Sequence, residues 1–226
     1  MNTQLSRMTL ACACAALFSS SALAAEVPLY ETGPSEDSSF LRFVNATPGA
    51  VEVVAAGSNA KTSLTVEKPA TSYFPIKAKA GIKGNLLAGS AQAPVDVSVE
   101  PGEFATVFAV ASGANALSSR VVREQPDDFN ATKVSLAFYS MDASCANTSL
   151  QVAGRTVALF ENVPVGELKR RLINPVTLSV QLLCAGKPVG EALALGALQA
   201  GQRYSIFAVP GSGTTRMFIA SDALAN

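Results

Sequence analysis

The sequence predicts an all-β protein: two tandem antiparallel β-sandwich domains produced by an internal duplication. Three observations carry that expectation. Several segments alternate at period two, the spacing of a strand with one face on a core and the other in water. In "PVDVSV", Val95, Val97 and Val99 oppose Asp96 and Ser98; in "KVSLAFY", Val134, Leu136 and Phe138 oppose Lys133, Ser135 and Ala137; in "TLSVQL", Leu178, Val180 and Leu182 oppose Thr177, Ser179 and Gln181. Turn signals such as Thr47-Pro48-Gly49, Glu100-Pro101-Gly102 and Pro210-Gly211-Ser212-Gly213 separate the strands at short intervals. Helical spacing is not sustained, and Gly190, Gly196 and Gly201 punctuate the Ala-rich run "EALALGALQA".

The third observation is a repeat. "GEFATVFAVASG" (102–113) returns as "GQRYSIFAVPGSG" (201–213), with the shared Phe-Ala-Val 99 residues apart. "LRFVNA" (41–46) answers to "LAFYSM" (136–141), "VVAAG" (53–57) to "LQVAG" (150–154), and "LLAG" (86–89) to "LLCAG" (182–186), at offsets of 95, 97 and 96 to 97. Four matches in one order indicate a tandem duplication. Each unit then closes its own apolar sheet faces as a sandwich of seven or eight short strands.

Residues 1–24 read as a secretory signal peptide, with Arg7 ahead of an apolar run that ends at Ala22-Leu23-Ala24. The run is too short for a spanning helix of about 20 residues, so no stable membrane anchor is expected after processing. Cys12 and Cys14 are small apolar filler within it. Residues 25–38 form an exposed polar tail whose apolar anchor is Leu29-Tyr30. The first sandwich occupies 39–124, a linker 125–131 and the second sandwich 132–226. Within the "REQPDDFNA" that marks the boundary, Pro126 cannot donate in a ladder and Asp127-Asp128 would be costly to bury.

Removing residues 1–24 from the 226 leaves 202, with 16 basic and 17 acidic side chains once Arg7 is gone. That near-neutral balance offers no field for nucleic acid. Cys145 and Cys184 are the cysteines left after processing, and an exported compartment permits their pairing; two separate buried thiols, or a reactive or metal-binding pair, are the alternatives.

Histidine is absent, which removes the usual general base and any Ser-His-Asp or Cys-His machinery. The expectation is therefore no enzyme, no catalytic residue, no cofactor and no metal site. The acidic pairs Glu36-Asp37 and Asp127-Asp128 sit in turns, without the ligand alternation of a calcium loop. Lys169-Arg170-Arg171 is the dense basic cluster, either a solvated face or a contact for an anionic polymer or acidic partner. Tyr139, on the polar-facing side of its strand, is either a surface tyrosine or an aromatic platform for a sugar ring; Tyr30, Tyr73 and Tyr204 are the other tyrosines, and tryptophan is absent. Asn45, Asn130 and Asn147 begin formal glycosylation sequons, to which no function is attached.

Two long stretches resemble the alginate biosynthesis protein F family: "PLYETGPSEDSSFLRFVNATPGAVEV", and "ATKVSLAFYSMDASCANTSLQVAGRTVALFENVPVGELKRRLINPVTLSVQLLCAG" with Ile173-Asn174-Pro175-Val176 opening a strand after a basic pair. The likeness runs in order through nearly the whole secreted chain. It implies two small β domains in tandem and a periplasmic protein required for O-acetylation of an exopolysaccharide, alginate or cellulose. Such a protein would bridge membrane acetyl-transfer or export components and a periplasmic acetyltransferase without catalysing transfer. A polysaccharide-binding module is the alternative. Two features depart from the family pattern: Cys145 and Cys184, which are not a family signature, and the longer turn around "MDASCANTS".

Overall fold

Residues 38–113, 115–125 and 130–225 are described by a computed structural model and belong to one compact unit. The expected signal peptide (1–24), the expected tail through Asp37 with Tyr30 and Glu36, and Pro126 to Phe129 of the expected linker lie outside the described residues.

Among the described residues the regular structure is β-strand, sixteen in all. The first half contributes β1 (Ser38–Ala46), β2 (Val51–Ala55), β3 (Lys61–Leu64), β4 (Phe74–Lys77), β5 (Ile82–Ala88), β6 (Ala91–Val97), β7 (Phe104–Gly113) and β8 (Ala116–Glu124). The second contributes β9 (Val134–Ser140), β10 (Thr148–Val152), β11 (Ala158–Val163), β12 (Glu167–Ile173), β13 (Val176–Cys184), β14 (Lys187–Leu198), β15 (Arg203–Pro210) and β16 (Thr215–Ser221). They form four sheets of four, ordered β4-β1-β7-β8 and β3-β2-β5-β6 in the first half, β12-β9-β15-β16 and β11-β10-β13-β14 in the second. The two orders are the same with eight added to each strand number, so every matched segment of the repeat occupies the same place in its own half.

Local chemistry repeats too. Gly102 and Gly201 both adopt φ 73, a left-handed conformation that glycine reaches without a Cβ penalty. Each opens the last inner hairpin of its half, donating its N–H to Ser38 O or Lys133 O at 2.8 Å. These turns set β7 beside β1 and β15 beside β9. Both pairs are parallel, unlike the other strand pairs. The chain reaches β7 and β15 from the opposite sheet, and such a crossing permits parallel pairing where a tight hairpin does not.

Each half closes a core between its sheets, Leu41, Val51, Leu86, Val97 and Val107 in the first, and Leu136, Phe138, Leu150, Val180 and Ile206 in the second. A third apolar layer lies between the halves, where Val44, Ala46 and Phe108 meet Ala137, Tyr139, Met141, Phe207 and Val209. The two inner sheets are therefore covered on both faces. This corrects the half-buried reading of "KVSLAFY": all of Val134 to Ser140 is buried. Ser135, Ala137 and Tyr139 face the other sandwich instead of water, a difference that period-two alternation of small and polar residues cannot reveal. The end of the chain reinforces the joint, since Tyr73 N–H donates to Ala223 O (2.9 Å) and Ala225 N–H to Tyr73 O (2.7 Å).

Cys145 and Cys184 form a disulfide across 39 residues, tying the β9–β10 loop to the end of β13. Ala185 N–H donates to Ala146 O beside it at 2.7 Å. Replacing both cysteines by alanine is expected to lower unfolding stability by about 3 to 4 kcal/mol, through the freed loop of the unfolded chain. Urea denaturation of the two proteins under non-reducing conditions checks this; coincident midpoints would contradict it.

Candidate functional site: a charge network between the sandwiches

β1 alternates so that Leu41 and Phe43 enter the first sandwich core while Arg42 and Val44 point to the joint. The same alternation on β7 and β15 delivers Thr106 and Ser205, and on β9 it delivers Ser135 and Tyr139. The result is a polar centre within an apolar layer.

Arg42 has no solvent exposure. Its Nε donates to Thr106 Oγ1 (2.9 Å), Nη1 to Asp222 Oδ1 (2.7 Å), and Nη2 to Ser205 Oγ (2.9 Å) and Tyr139 OH (3.1 Å). Its guanidinium lies 4.4 Å from the ring centre of Tyr73 and 4.9 Å from that of Phe207, within cation–π range. Arg170, 7% exposed along its side chain, forks onto Glu124 through Nε and Nη2 and donates from Nη2 to Asp222 Oδ2 at 2.8 Å. Its Nη1 reaches Ser135 Oγ at 3.0 Å. Ser205 Oγ donates to Asp222 Oδ1 (2.7 Å), Tyr139 OH donates to Glu124 Oε2 (3.3 Å), and Arg203 stands 3.6 Å from Glu124.

Arg42 and Glu124 belong to the first half, Arg170 and Asp222 to the second. Three arginines, counting Arg203 beside Glu124, meet two carboxylates, and pairs cross the boundary in both directions. Glu124 ends β8 and Asp222 follows β16, so they hold equivalent places: Glu124 is opposite Phe104 and Asp222 is bonded to the backbone of Arg203, the counterpart of Phe104.

The electrostatics follow from burial and pairing. Burial alone would push the Asp222 carboxyl up, but Arg42, Arg170 and the Ser205 hydroxyl hold it below the usual carboxylate range. Burial disfavours the charged Arg42, and the charges and dipoles of Tyr73, Asp222 and Tyr139 outweigh it, leaving the guanidinium above its ordinary value. Burial pushes the Tyr73 and Tyr139 hydroxyls up. A buried charge is tolerated only when its partners are all in place. Chemically, the network is a lock.

Several sequence expectations change here. Tyr139 is 1% exposed and joins the lock, so it is neither a surface residue nor a sugar platform. Arg170 of the basic cluster is likewise buried, whereas its neighbours Lys169 and Arg171 point the other way. They donate to the carbonyls of Glu161 (2.7 Å) and Leu159 (2.9 Å) along β11. Asn45 is fully buried and donates its amide to Gly49 O and Leu64 O at 2.7 and 3.0 Å, which leaves no room for a glycan. Asp127-Asp128 lie outside the described residues. Arg42, Thr106, Glu124, Ser205 and Asp222 were not marked by the sequence, although the aligned acidic ends of the two copies carried a signal.

Arg42→Ala would strand Asp222 without its main partner and is expected to cost about 3 to 5 kcal/mol in urea unfolding. A wild-type midpoint would refute the assigned lock. The depressed Asp222 carboxyl contributes stability that is fully present above the unfolded-state value of about 3.9 and is lost as pH falls through the lower folded value. Acid titration followed by tyrosine fluorescence, to which Tyr73 and Tyr139 contribute, should therefore show opening below about pH 4. The Asp222→Asn variant should lack that component.

No family model and no curated protein matches the sequence. Among solved structures, the chain is similar to a Bacteroides uniformis protein provisionally described as a cell adhesion protein, at 10% identity over 83% of this chain and 98% of that one, with a TM-score of 0.29. A similarly described Bacteroides ovatus protein matches at 9% identity over 84% and 98%, with a TM-score of 0.27. The carbohydrate-binding module CBMbc (family CBM26) of Eubacterium rectale Amy13K, solved with maltoheptaose, matches at 9% identity over 80% and 96%, with a TM-score of 0.25.

Proposed function

We propose that this chain is a non-catalytic periplasmic adaptor for O-acetylation of a secreted exopolysaccharide, joining membrane acetyl-transfer or export components to a periplasmic acetyltransferase. The sequence resemblance supplies the pathway, and alginate and cellulose are the polymers it suggests. The geometric observation that carries an adaptor role is the lock of Arg42, Asp222, Arg170 and Glu124. It engages the buried charges with one another and holds two sandwiches in a fixed relation. Partners seated on such a body are kept at high effective concentration, and binding loses little energy to reorienting its halves. The Cys145–Cys184 bridge suits an oxidising compartment.

Contact with the polymer itself is a second reading, favoured by one feature. Lys169 and Arg171 lie side by side at the exposed β11–β12 surface, bonded to β11 carbonyls, and their charge would suit an anionic chain.

The deciding experiment is a clean deletion in the source bacterium, with polymer yield and acetyl content measured. The adaptor predicts loss of acetyl groups at normal yield, restored by the wild-type gene; unchanged acetylation removes the proposal. Titration of the purified protein with acetylated and deacetylated polymer separates the second reading, for which only a saturable signal counts.

A further inference from the structure

The two copies differ in their sandwich cores around β3 and its counterpart β11. In the second, Phe160 on β11 lies opposite Leu150 and packs on Phe138 with ring centres 5.8 Å apart. By register, the same places in the first copy are Thr62 on β3, opposite Val53, and Phe43. Val180, fully buried in the second core, corresponds to Gly84. Val54 packs so tightly on Gly84 that an added Cβ would lie 2.5 Å from its carbonyl oxygen. Around this corner of the core, three neighbouring positions carry smaller residues in the first copy: Thr62 for Phe160, Val53 for Leu150 and Gly84 for Val180.

What results is an open, mainly apolar slot of about 210 Å³ between the sheets, lined by Phe43, Val53, Thr62, Phe74, Ile82 and Gly84 among others. An apolar cavity of about 150 Å³ is enough to take benzene. The slot therefore has room for one phenyl ring, the group that the second copy supplies from its own strand.

The side of the sandwich at this point also differs. In the second copy Lys169 and Arg171 of β12 donate across the gap to carbonyls of β11 and close it. In the first, Phe74 stands at the register position of Arg171, each opposite the equivalent Leu41 or Leu136. Phe74 is 38% exposed and its ring has no donor to offer. No hydrogen bond joins β3 to β4 among the described residues, and β3 pairs with β2 alone. Its outer edge is thus available to an added strand, the usual way an extended peptide joins a sheet.

We infer that this slot is a peptide-docking site, taking a phenylalanine-type side chain from an extended segment of a partner protein that lies along β3. The inserted ring packs on Phe43 as Phe160 packs, tilted, on Phe138, while the partner's backbone pairs with the open edge. The inference stands on the comparison of the two copies and not on the polysaccharide reading, so either can fail without the other.

Amide shifts of the ¹⁵N-labelled full chain test it, followed at Val53, Phe74, Ile82 and Gly84. The probes are toluene, an N-acetylated and C-amidated pentapeptide Ser-Val-Phe-Val-Ser, and the same peptide with alanine at its centre. The phenylalanine peptide should give saturable shifts, and the alanine peptide should bind at least about tenfold more weakly. Thr62→Phe, which restores the second copy's ring, should raise the thermal midpoint and weaken the phenylalanine peptide by at least about tenfold. If that variant does not fold, Val53→Leu, again the second copy's own residue, provides the same comparison. Equal binding of the two peptides, shifts with toluene but not with peptide, no shifts with any probe, or undiminished binding to the filled variant would each overturn the proposal.

Discussion

A guanidinium with no access to water has to find every partner inside the protein, and the demand made by Arg42 shapes the whole molecule. Thr106 comes from its own half, whereas Asp222, Ser205 and Tyr139 come from the other. Neither sandwich can satisfy that charge alone. Desolvating a guanidinium costs several kcal/mol unless its hydrogen bonds are replaced, so separating the halves would either flood the joint or leave charge stranded. The apolar contacts around it, with Phe108, Tyr139 and Phe207 in mutual ring contact, exclude water and strengthen the electrostatics within. Packing and pairing thus support each other.

Duplication explains the shape of this joint, and divergence explains its content. Two copies of one sandwich would present identical inner faces to each other, and identical charges would then repel. Instead Arg42 corresponds to Ala137, and the arginine of the second copy comes from β12 and reaches over Ala137 from the neighbouring strand. The equivalent carboxylates Glu124 and Asp222 are kept on both sides, each with an arginine. The outer parts diverged differently: one copy filled its core with Phe160 and covered its open side with basic side chains, and the other did neither. One sandwich is finished where its sibling is left ajar.

Strand content, the repeat and its order were legible in the sequence because they depend on local periodicity and turn chemistry. "LRFVNA" and "LAFYSM", for example, became equivalent central strands. The joint was not legible, for a specific reason. Alternation tells which residues share a face, but it does not say whether the face opposite the core meets water or another sheet. Tyr139, flanked by small and polar neighbours, therefore read as a surface residue, and Arg170 read as one of three exposed bases, solvated or facing an anionic partner. Arg42, between Leu41 and Phe43, gave no sign of burial either. Only the pairing of distant acidic ends, Glu124 with Asp222, could have hinted at it, and that requires the two copies to be aligned strand by strand.

The placement of Asp222 has a temporal consequence. Synthesis proceeds from the amino end, so Arg42 exists for some 180 residues of elongation before its carboxylate partner appears. Through that interval the leading half carries a cation facing where its sibling will sit, and it must stay hydrated. Only when residues 222–225 arrive, with Ala223 and Ala225 bonding across to Tyr73, are the partners of the joint complete. A chain that stopped at Ser221 would keep all sixteen strands and still lack the carboxylate that Arg42 pairs with.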